Sequence, residues 1–179
     1  HLSSRRQRQM CIRDRKIYIL NGGLKKWIFE NKPITKLTTE IIKSNYVTNE
    51  KENLVVSFDQ IKKNILSKSF NVIDARSLER FEGKVSEPRK GLRSGHIQNS
   101  FCLPFNQCIN QKTGEFKNLE ELRELFNQNE NIEKRLDQVF TCGSGVTAAV
   151  LAYAYKMVNN DYIPKIYDGS WSEYGKYPA

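Results

Sequence analysis

Residues 139 to 158 constrain the fold more than any other part of the chain. They read VFTCGSGVTAAVLAYAYKMV: a short apolar run ends at Thr141, a glycine-containing turn follows, and an alanine-rich run begins at Val146. A β-branched and aromatic run before a glycine turn is typical of a strand, whereas alanine mixed with long side chains is typical of a helix. The segment therefore predicts a strand, a tight loop that contains Cys142, and a helix over residues 146–158.

The same alternation of strand and helix patterns extends through residues 54–179. Apolar residues at helical spacing predict the helices of this region, the first of them capped by Ser57 or Asp59. Short apolar runs between glycine-rich or polar stretches predict its strands. We expect helices near 58–66, 77–81, 119–126 and 146–158, and strands near 70–73, 101–105, 138–141 and 163–167. This order predicts an α/β domain with a central, mostly parallel sheet and helices on both of its faces.

An internal repeat links the two ends of the chain. Ile19–Trp27 and Ile166–Tyr174 share a β-rich run, a glycine turn, and an apolar and an aromatic residue three apart at the start of a helix. The spacing between the copies is about that of a duplicated domain. We therefore expect residues 16–35 to be the last strand and helix of a preceding domain, with a buried strand in KIYIL, and the polar residues 36–53 to be a linker.

The first fifteen residues, HLSSRRQRQMCIRDR, have no apolar periodicity and hold five of the 29 basic residues. Arginine, serine and few acids suit a mitochondrial transit peptide. However, this segment runs straight into the pattern of a domain interior, and it also resembles translated adapter sequence. We interpret residues 1–15 as a non-native or disordered leader, and residues 54–179 as the functional domain.

Charge and composition exclude several classes of function. The formal charge is +9, but no basic cluster alternates with aromatic residues as a nucleic-acid platform would, so we expect no nucleic-acid partner. The longest apolar run falls short of the roughly 18 residues of a membrane span. The four cysteines form no CxxC pair, which argues against structural zinc and disulfides and favours a reducing compartment. A redox switch formed by Cys102 and Cys108 stays open as an alternative.

The loop after Thr141 is the predicted centre of the chemistry. In an open α/β sheet, a loop at the carboxyl edge of a strand lies where ligands bind. Gly143 and Gly145 allow the backbone to turn its N–H groups inward beside the positive end of the next helix, which favours a thiolate at Cys142. Cysteine-dependent phosphatases use a similar loop, with an arginine six positions after the cysteine that binds the phosphate. In this chain that position is Ala148, so phosphoryl transfer would lack its main charge partner.

The chain resembles the two-domain rhodanese family of sulfurtransferases, and its loop CGSGVTA is similar to that of members which use 3-mercaptopyruvate. The resemblance continues through NVIDAR, RFEG, EPRKGLRSGHI, LPF and YDGSWSEYG. It implies a rhodanese-like catalytic domain over 54–179, preceded by the last strand and helix of a first rhodanese domain. Relatives that use thiosulfate usually carry basic residues after the cysteine, whereas Gly143 and Ser144 are neutral.

The resemblance also implies roles for individual residues. Cys142 would carry the transferred sulfur as a persulfide, Ser144 would assist it, and Arg80 and Arg89 would bind the substrate carboxylate and carbonyl, for which guanidinium forks are suited. Backbone groups of four loop and helix residues would bind the anionic sulfur: Gly143, Gly145, Val146 and Thr147. Asp74, Arg76 and His96 are interpreted as structural.

The predicted reaction moves sulfur from 3-mercaptopyruvate to a thiol such as thioredoxin, or to cyanide, and releases pyruvate. It needs neither a metal nor an organic cofactor. In the family, the serine corresponding to Ser144 is proposed to work with a histidine and an aspartate of the first domain, which cannot be assigned in this sequence. Two alternatives remain open: a thiosulfate:cyanide sulfurtransferase and a rhodanese-like interaction module without activity. We expect a cytoplasmic protein, with a mitochondrial one as the alternative.

Overall fold

A computed structural model describes most of the chain in two compact units. It covers residues 18–38, 40, 45, 54–128, 132–133 and 135–177. One unit comprises the described residues up to 45 together with 112–115, and the other comprises 54–111 together with 116–177. The interpreted leader, residues 1–15, and most of the interpreted linker lie outside the described residues. The second unit contains every residue that we predicted for the functional site.

The second unit is built on a parallel sheet. Its strands are β1 (Phe70–Asp74), β2 (Ser100–Cys102), β3 (Asp137–Thr141) and β4 (Lys165–Ile166), in the order β2-β1-β3-β4. All three pairings are parallel. The last residue of β1 is the register partner of the last residues of β2 and β3. Three strands therefore end at one edge, and the predicted α/β fold with a parallel sheet is confirmed.

The described residues contain six α-helices, the first in the smaller unit and the other five in the unit that holds the sheet. They are α1 (Gly23–Phe29), α2 (Phe58–Ser67), α3 (Leu78–Phe81), α4 (Leu119–Asn127), α5 (Val146–Val158) and α6 (Ser170–Tyr174). Ser57 caps α2 and Asn118 caps α4, each in a reciprocal capping box that satisfies backbone N–H groups at the start of the helix. The bounds of α5 are those expected from the sequence.

Alternate strand residues pack on opposite faces of the sheet. Val72 and Val139 belong to a buried cluster with side chains of α2 and α6. Ile73 and Phe140 belong to another, with side chains of α4 and α5. Side chains of a strand alternate between its two faces, so this division confirms that helices cover both faces.

Two predicted strands are shorter than expected, and proline explains both. The extended run from Phe101 stops at Cys102 because Pro104, which has no N–H group, precedes a 3-10 helix over Phe105–Cys108. The run from Ile163 contains Pro164, so β4 is limited to Lys165–Ile166. Beyond β4, the N–H of Tyr167 still donates to the carbonyl of Phe140, which continues the pairing by one bond.

The buried strand expected in KIYIL is not present in its described part. Tyr18–Leu20 have no strand structure, and their side chains are exposed, that of Tyr18 by 86%; Lys16 and Ile17 lie outside the described residues. A strand requires a neighbour that accepts its backbone hydrogen bonds and covers its apolar face, and none of the described residues pairs with this run. The repeat is visible in the backbone: Gly23 and Ser170, aligned in the two copies, both begin a helix with a positive φ, 59° and 50°.

Candidate active site

Cys142 follows directly after β3, at the carboxyl edge of the sheet. A loop of four residues, 142–145, connects β3 to α5. Asp74 ends β1 beside Thr141, so the segment after β1 begins next to this loop. The Cys142 residue is only 2% exposed. The cysteine therefore lies at the ligand-binding edge of a parallel sheet, in a position that water reaches poorly.

Two glycines shape the loop, each for a different physical reason. Gly145 has φ +78°, a conformation that costs L-residues free energy, and a Cβ there would lie 2.9 Å from the carbonyl oxygen of Asp168. A Cβ at Gly143 would instead lie 3.0 Å from Nη2 of Arg80. Gly145 thus allows the turn, and Gly143 allows the guanidinium to approach the loop.

The cysteine loop supplies one N–H donor to the sulfur, and α5 begins directly after the loop. The N–H of Ser144 donates to Sγ of Cys142 at 3.4 Å. Val146 and Thr147 lie in the first turn of α5, where N–H groups have no acceptor within the helix and the helix dipole is positive. The sulfur of Cys142 therefore lies in a loop that donates to it and that leads into the N-terminus of a helix.

Ser170 organises this loop, and sequence reasoning missed it. Its side chain is fully buried; Oγ accepts from the N–H groups of Cys142 and Gly145, both at 3.1 Å, and donates to the carbonyl of Tyr167 at 2.8 Å. The positive φ of Ser170 brings the hydroxyl under the loop. Its alignment with Gly23 in the internal repeat was the one signal in the sequence that marked this position as unusual.

The loop also pairs with the backbone of α6. The N–H of Trp171 donates to the carbonyl of Cys142, and that of Ser172 donates to the carbonyl of Gly143, both at 2.9 Å. This arrangement corrects one expectation. The N–H of Gly145 is oriented toward Ser170 rather than toward the sulfur, because the left-handed turn at Gly145 directs it back into the domain.

Both predicted arginines reach the cysteine loop from the segment after β1. Arg80 lies against Gly143, as noted above, and Nη1 of the exposed Arg89 donates to the carbonyl of Gly143 at 3.4 Å. Glu87 holds Arg80 in place: its carboxylate accepts from Nη2 at 2.5 Å and from Nε at 3.2 Å. The structure therefore brings together the residues that the sequence indicated, with Glu87 as an additional member.

A buried ion-pair network anchors this segment. Arg76, whose side chain is fully buried, binds Asp74 through Nε and Nη2, Glu87 through Nη1 at 2.8 Å, and the carbonyl of Gly95. Its guanidinium also lies 4.4 Å from the ring centre of Trp171. Such burial is tolerated because every charge has a partner. The geometry agrees with the structural role expected for Asp74 and Arg76.

Three other titratable residues, His96, Cys102 and Cys108, have environments that do not suit a reacting group. His96 stacks on Phe81 with ring centres 4.0 Å apart, and its Nδ1 lies 2.9 Å from the Phe81 carbonyl, which is the environment of a packing residue. Burial raises the pKa of both the Cys102 and the Cys108 thiol to about 12, so neither is a ready nucleophile. Ala148 is fully buried in α5, which leaves no room for a phosphatase-type arginine.

Within the part of the chain that the structure describes, no group of three or more His, Cys, Asp and Glu side chains is arranged to hold a metal ion. Among the same residues, no helix has the length and apolar character needed to cross a bilayer.

Comparison with known proteins identifies the family. Residues 57–177 match the protein-family model of the rhodanese-like domain. The chain is 34% identical to human 3-mercaptopyruvate sulfurtransferase over 158 residues, which is 88% of this chain and 52% of that protein. It is likewise 34% identical to chicken thiosulfate sulfurtransferase over 160 residues, or 89% of this chain and 54% of that protein. The identity is thus equal for relatives named after two different sulfur donors.

Solved structures show the same relationship. SseA from Escherichia coli, described as a 3-mercaptopyruvate sulfotransferase of the rhodanese fold, is 30% identical with a TM-score of 0.73, over 89% of this chain and 58% of that one. The Tum1 protein of Saccharomyces cerevisiae is 25% identical with a TM-score of 0.75, over 86% and 55% of the two chains. The chain spans about half the length of the relatives it matches. By sequence and by fold, it belongs to the rhodanese family.

Proposed function

We propose that the chain is the Cys142-bearing part of a sulfurtransferase that moves sulfur from 3-mercaptopyruvate to a thiol or cyanide acceptor. One observation carries the proposal: Cys142 lies in a loop where the N–H of Ser144 donates to its sulfur and where two arginine side chains converge on Gly143. A nucleophile with nearby donors, and cations beside it, fits an anionic sulfur donor.

In the first half of the proposed reaction, the Cys142 thiolate attacks the sulfur of 3-mercaptopyruvate. A sulfur–sulfur bond forms while the carbon–sulfur bond breaks, and the electron pair of the broken bond leaves with the enolate of pyruvate. The enolate then takes up one proton. Cys142 remains as a persulfide, and no external oxidant or reductant is consumed.

In the second half, a thiol acceptor attacks the outer sulfur of the persulfide and releases the Cys142 thiolate. Reduced thioredoxin is the acceptor class that we propose, and cyanide serves in an assay. The N–H of Ser144 and the first turn of α5 would stabilise the charge on sulfur in both halves. A reducing compartment such as the cytoplasm would keep Cys142 as a thiol.

We propose Arg80 and Arg89 as the groups that bind the donor. Arg89 is exposed and already touches the cysteine loop, so its guanidinium can turn to a carboxylate without leaving the site. Arg80 is held against Gly143 by Glu87, which orients its fork before a substrate arrives. An α-keto acid has a planar carboxylate and carbonyl, the shape that guanidinium groups bind best.

We also propose that residues 16–35 are the tail of a first rhodanese domain that completes the active-site cleft. Two observations support the proposal. The chain covers only about half of each relative. Apolar side chains in this segment are exposed, among them those of Tyr18, Leu24 and Phe29. The chain as given should then form a persulfide but release pyruvate slowly over many turnovers. Steady-state pyruvate release as fast as that of a two-domain relative would contradict this.

Mass spectrometry of the purified chain after incubation with 3-mercaptopyruvate tests the function. We expect a gain of one sulfur atom, located on Cys142 by peptide mapping and absent in Cys142→Ser. A folded chain that gains no sulfur from any donor would instead support a rhodanese-like interaction module. If thiosulfate loads Cys142 faster than 3-mercaptopyruvate does, the chain is a thiosulfate sulfurtransferase.

A further inference from the structure

Glu87 lies between the structural ion-pair network and the arginine that we propose binds the donor. Its side chain is 1% exposed, and both of its oxygens are used: Oε1 accepts from Arg76 and Arg80, and Oε2 accepts from Arg80. It occupies Nε and Nη2, one complete edge of the Arg80 fork. The charge of Arg80 is therefore compensated at contact distance, even though its guanidinium lies beside the loop that carries Cys142.

The charges named around the loop balance. Asp74, Glu87, Arg76 and Arg80 form a network with two carboxylates and two guanidiniums. Two further groups face the loop directly: Arg89 at the carbonyl of Gly143, and the carboxylate of Asp168 against Gly145. Together these six side chains carry no net formal charge.

From this balance we infer that Glu87 determines donor specificity. By cancelling the charge of Arg80, it selects a singly charged donor such as 3-mercaptopyruvate over the thiosulfate dianion. The inference rests on the proposed function and names the charge class of its substrate. A second negative charge on the donor gains little attraction from these six balanced groups, and it is repelled by the thiolate that must attack it. A singly charged α-keto acid needs only an oriented fork, which the Glu87 pair supplies.

The test measures sulfur loading of Cys142 in single turnovers, with thiosulfate and with 3-mercaptopyruvate, for the chain and for Glu87→Gln. Removal of one negative charge should raise the ratio of the second-order loading rate constants, thiosulfate over 3-mercaptopyruvate, roughly tenfold at low salt. The gain should shrink as ionic strength rises, because salt screens the added charge. A merely structural role would slow both donors alike and show no such dependence on salt.

Glu82→Gln is the matched control. Glu82 lies in the same segment and pairs with Lys84 at the surface, so its removal takes away the same charge without touching Arg80. The donor ratio should stay within about twofold of the parent, as screened surface charges act weakly. A folded Glu87→Gln chain that loads sulfur with the parent's donor ratio would overturn the inference.

Two further variants test the inference, and one of them, Arg80→Gln, keeps Glu87 and so remains informative even if Glu87→Gln does not fold. Arg80→Gln leaves Glu87 paired with Arg76 and makes the network negative, so the donor ratio should fall. Arg80→Gln with Glu87→Gln is neutral again and should return the ratio toward that of the parent, although both rate constants are lower. If the ratio in Arg80→Gln is not lower than in the parent, the inference fails. If the parent chain itself takes no sulfur from either donor, the proposed function fails instead.

Discussion

A methyl group added at Gly145 should distort the cysteine loop, because this position combines a left-handed backbone with a close backbone neighbour. Gly145 has φ +78°, so Gly145→Ala places a Cβ in the left-handed region, which costs roughly 1 to 2 kcal/mol. The Cβ would also overlap Oδ1 of Asp168 and lie 2.9 Å from the carbonyl oxygen of the same residue. The carboxylate can rotate away, but the carbonyl belongs to the backbone that leads into α6, so the loop itself must move.

Gly91 provides a matched control for the conformational part of this cost. Its φ is +79°, and a Cβ there would meet nothing within 4 Å. Gly91→Ala should therefore lower the free energy of unfolding by roughly 1 to 2 kcal/mol. Gly145→Ala should lower it by a further 1 to 3 kcal/mol, the usual cost of overpacking a rigid site. The difference between the two variants isolates the close approach of Asp168.

Urea denaturation of both variants measures these free energies, and single-turnover sulfur loading measures the effect on the site. Loading of Cys142 should slow by at least about tenfold in Gly145→Ala, because small displacements of a reacting group cost orders of magnitude in rate. In Gly91→Ala the loading rate should be unchanged. Equal losses of stability in the two variants, or normal loading by Gly145→Ala, would refute the reasoning.

Three further predictions follow from the described contacts. Ser170→Ala should lower the free energy of unfolding by about 2 to 4 kcal/mol and slow sulfur loading, because it leaves two buried N–H groups without an acceptor; urea denaturation should show no comparable loss in Ser172→Ala. Asn118→Ala should cost about 1 kcal/mol in the same assay through loss of the α4 cap, with no change in sulfur loading. Cys102 and Cys108, whose thiol pKa values are raised to about 12, should resist alkylation at pH 8 in the native chain and react after unfolding, as peptide mapping would reveal; rapid native labelling would contradict this.

Local sequence was sufficient for the elements whose causes are local. The helix over Val146–Val158 could be predicted because its glycine turn, alanine content and length act within one segment. Residues 70–73 and 138–141 each place an apolar side chain on both faces, Val72 and Ile73 in the first run and Val139 and Phe140 in the second, which is the pattern of strands buried in a parallel sheet. Cys142 was recognisable as the candidate nucleophile because the two glycines of its loop, Gly143 and Gly145, lie within three positions of it.

The missed features depend on contacts between distant parts of the chain. Ser170 acts on a loop that begins 28 residues earlier, and nothing in its own segment indicates a hydroxyl aimed at two backbone N–H groups. Glu87 lies within the EPR motif, but its use of both arginines requires the path of the chain between β1 and β2. The strand expected in KIYIL is absent from its described residues, Tyr18–Leu20, for a related reason: a strand pattern does not supply the neighbour that a strand needs.

The dependence of the cysteine loop on Ser170, Trp171 and Ser172 limits how such a site can be transplanted. A designer who grafts only the CGSGVT loop onto another parallel sheet would transfer the nucleophile without the hydroxyl and the two N–H groups that define the loop's backbone path. The minimal portable unit is discontinuous: β3 with its loop and the start of α5, together with residues 167–172 held beside them. The same constraint applies to natural variation within this fold, because a substitution in one segment must preserve the hydrogen bonds to the backbone of the other.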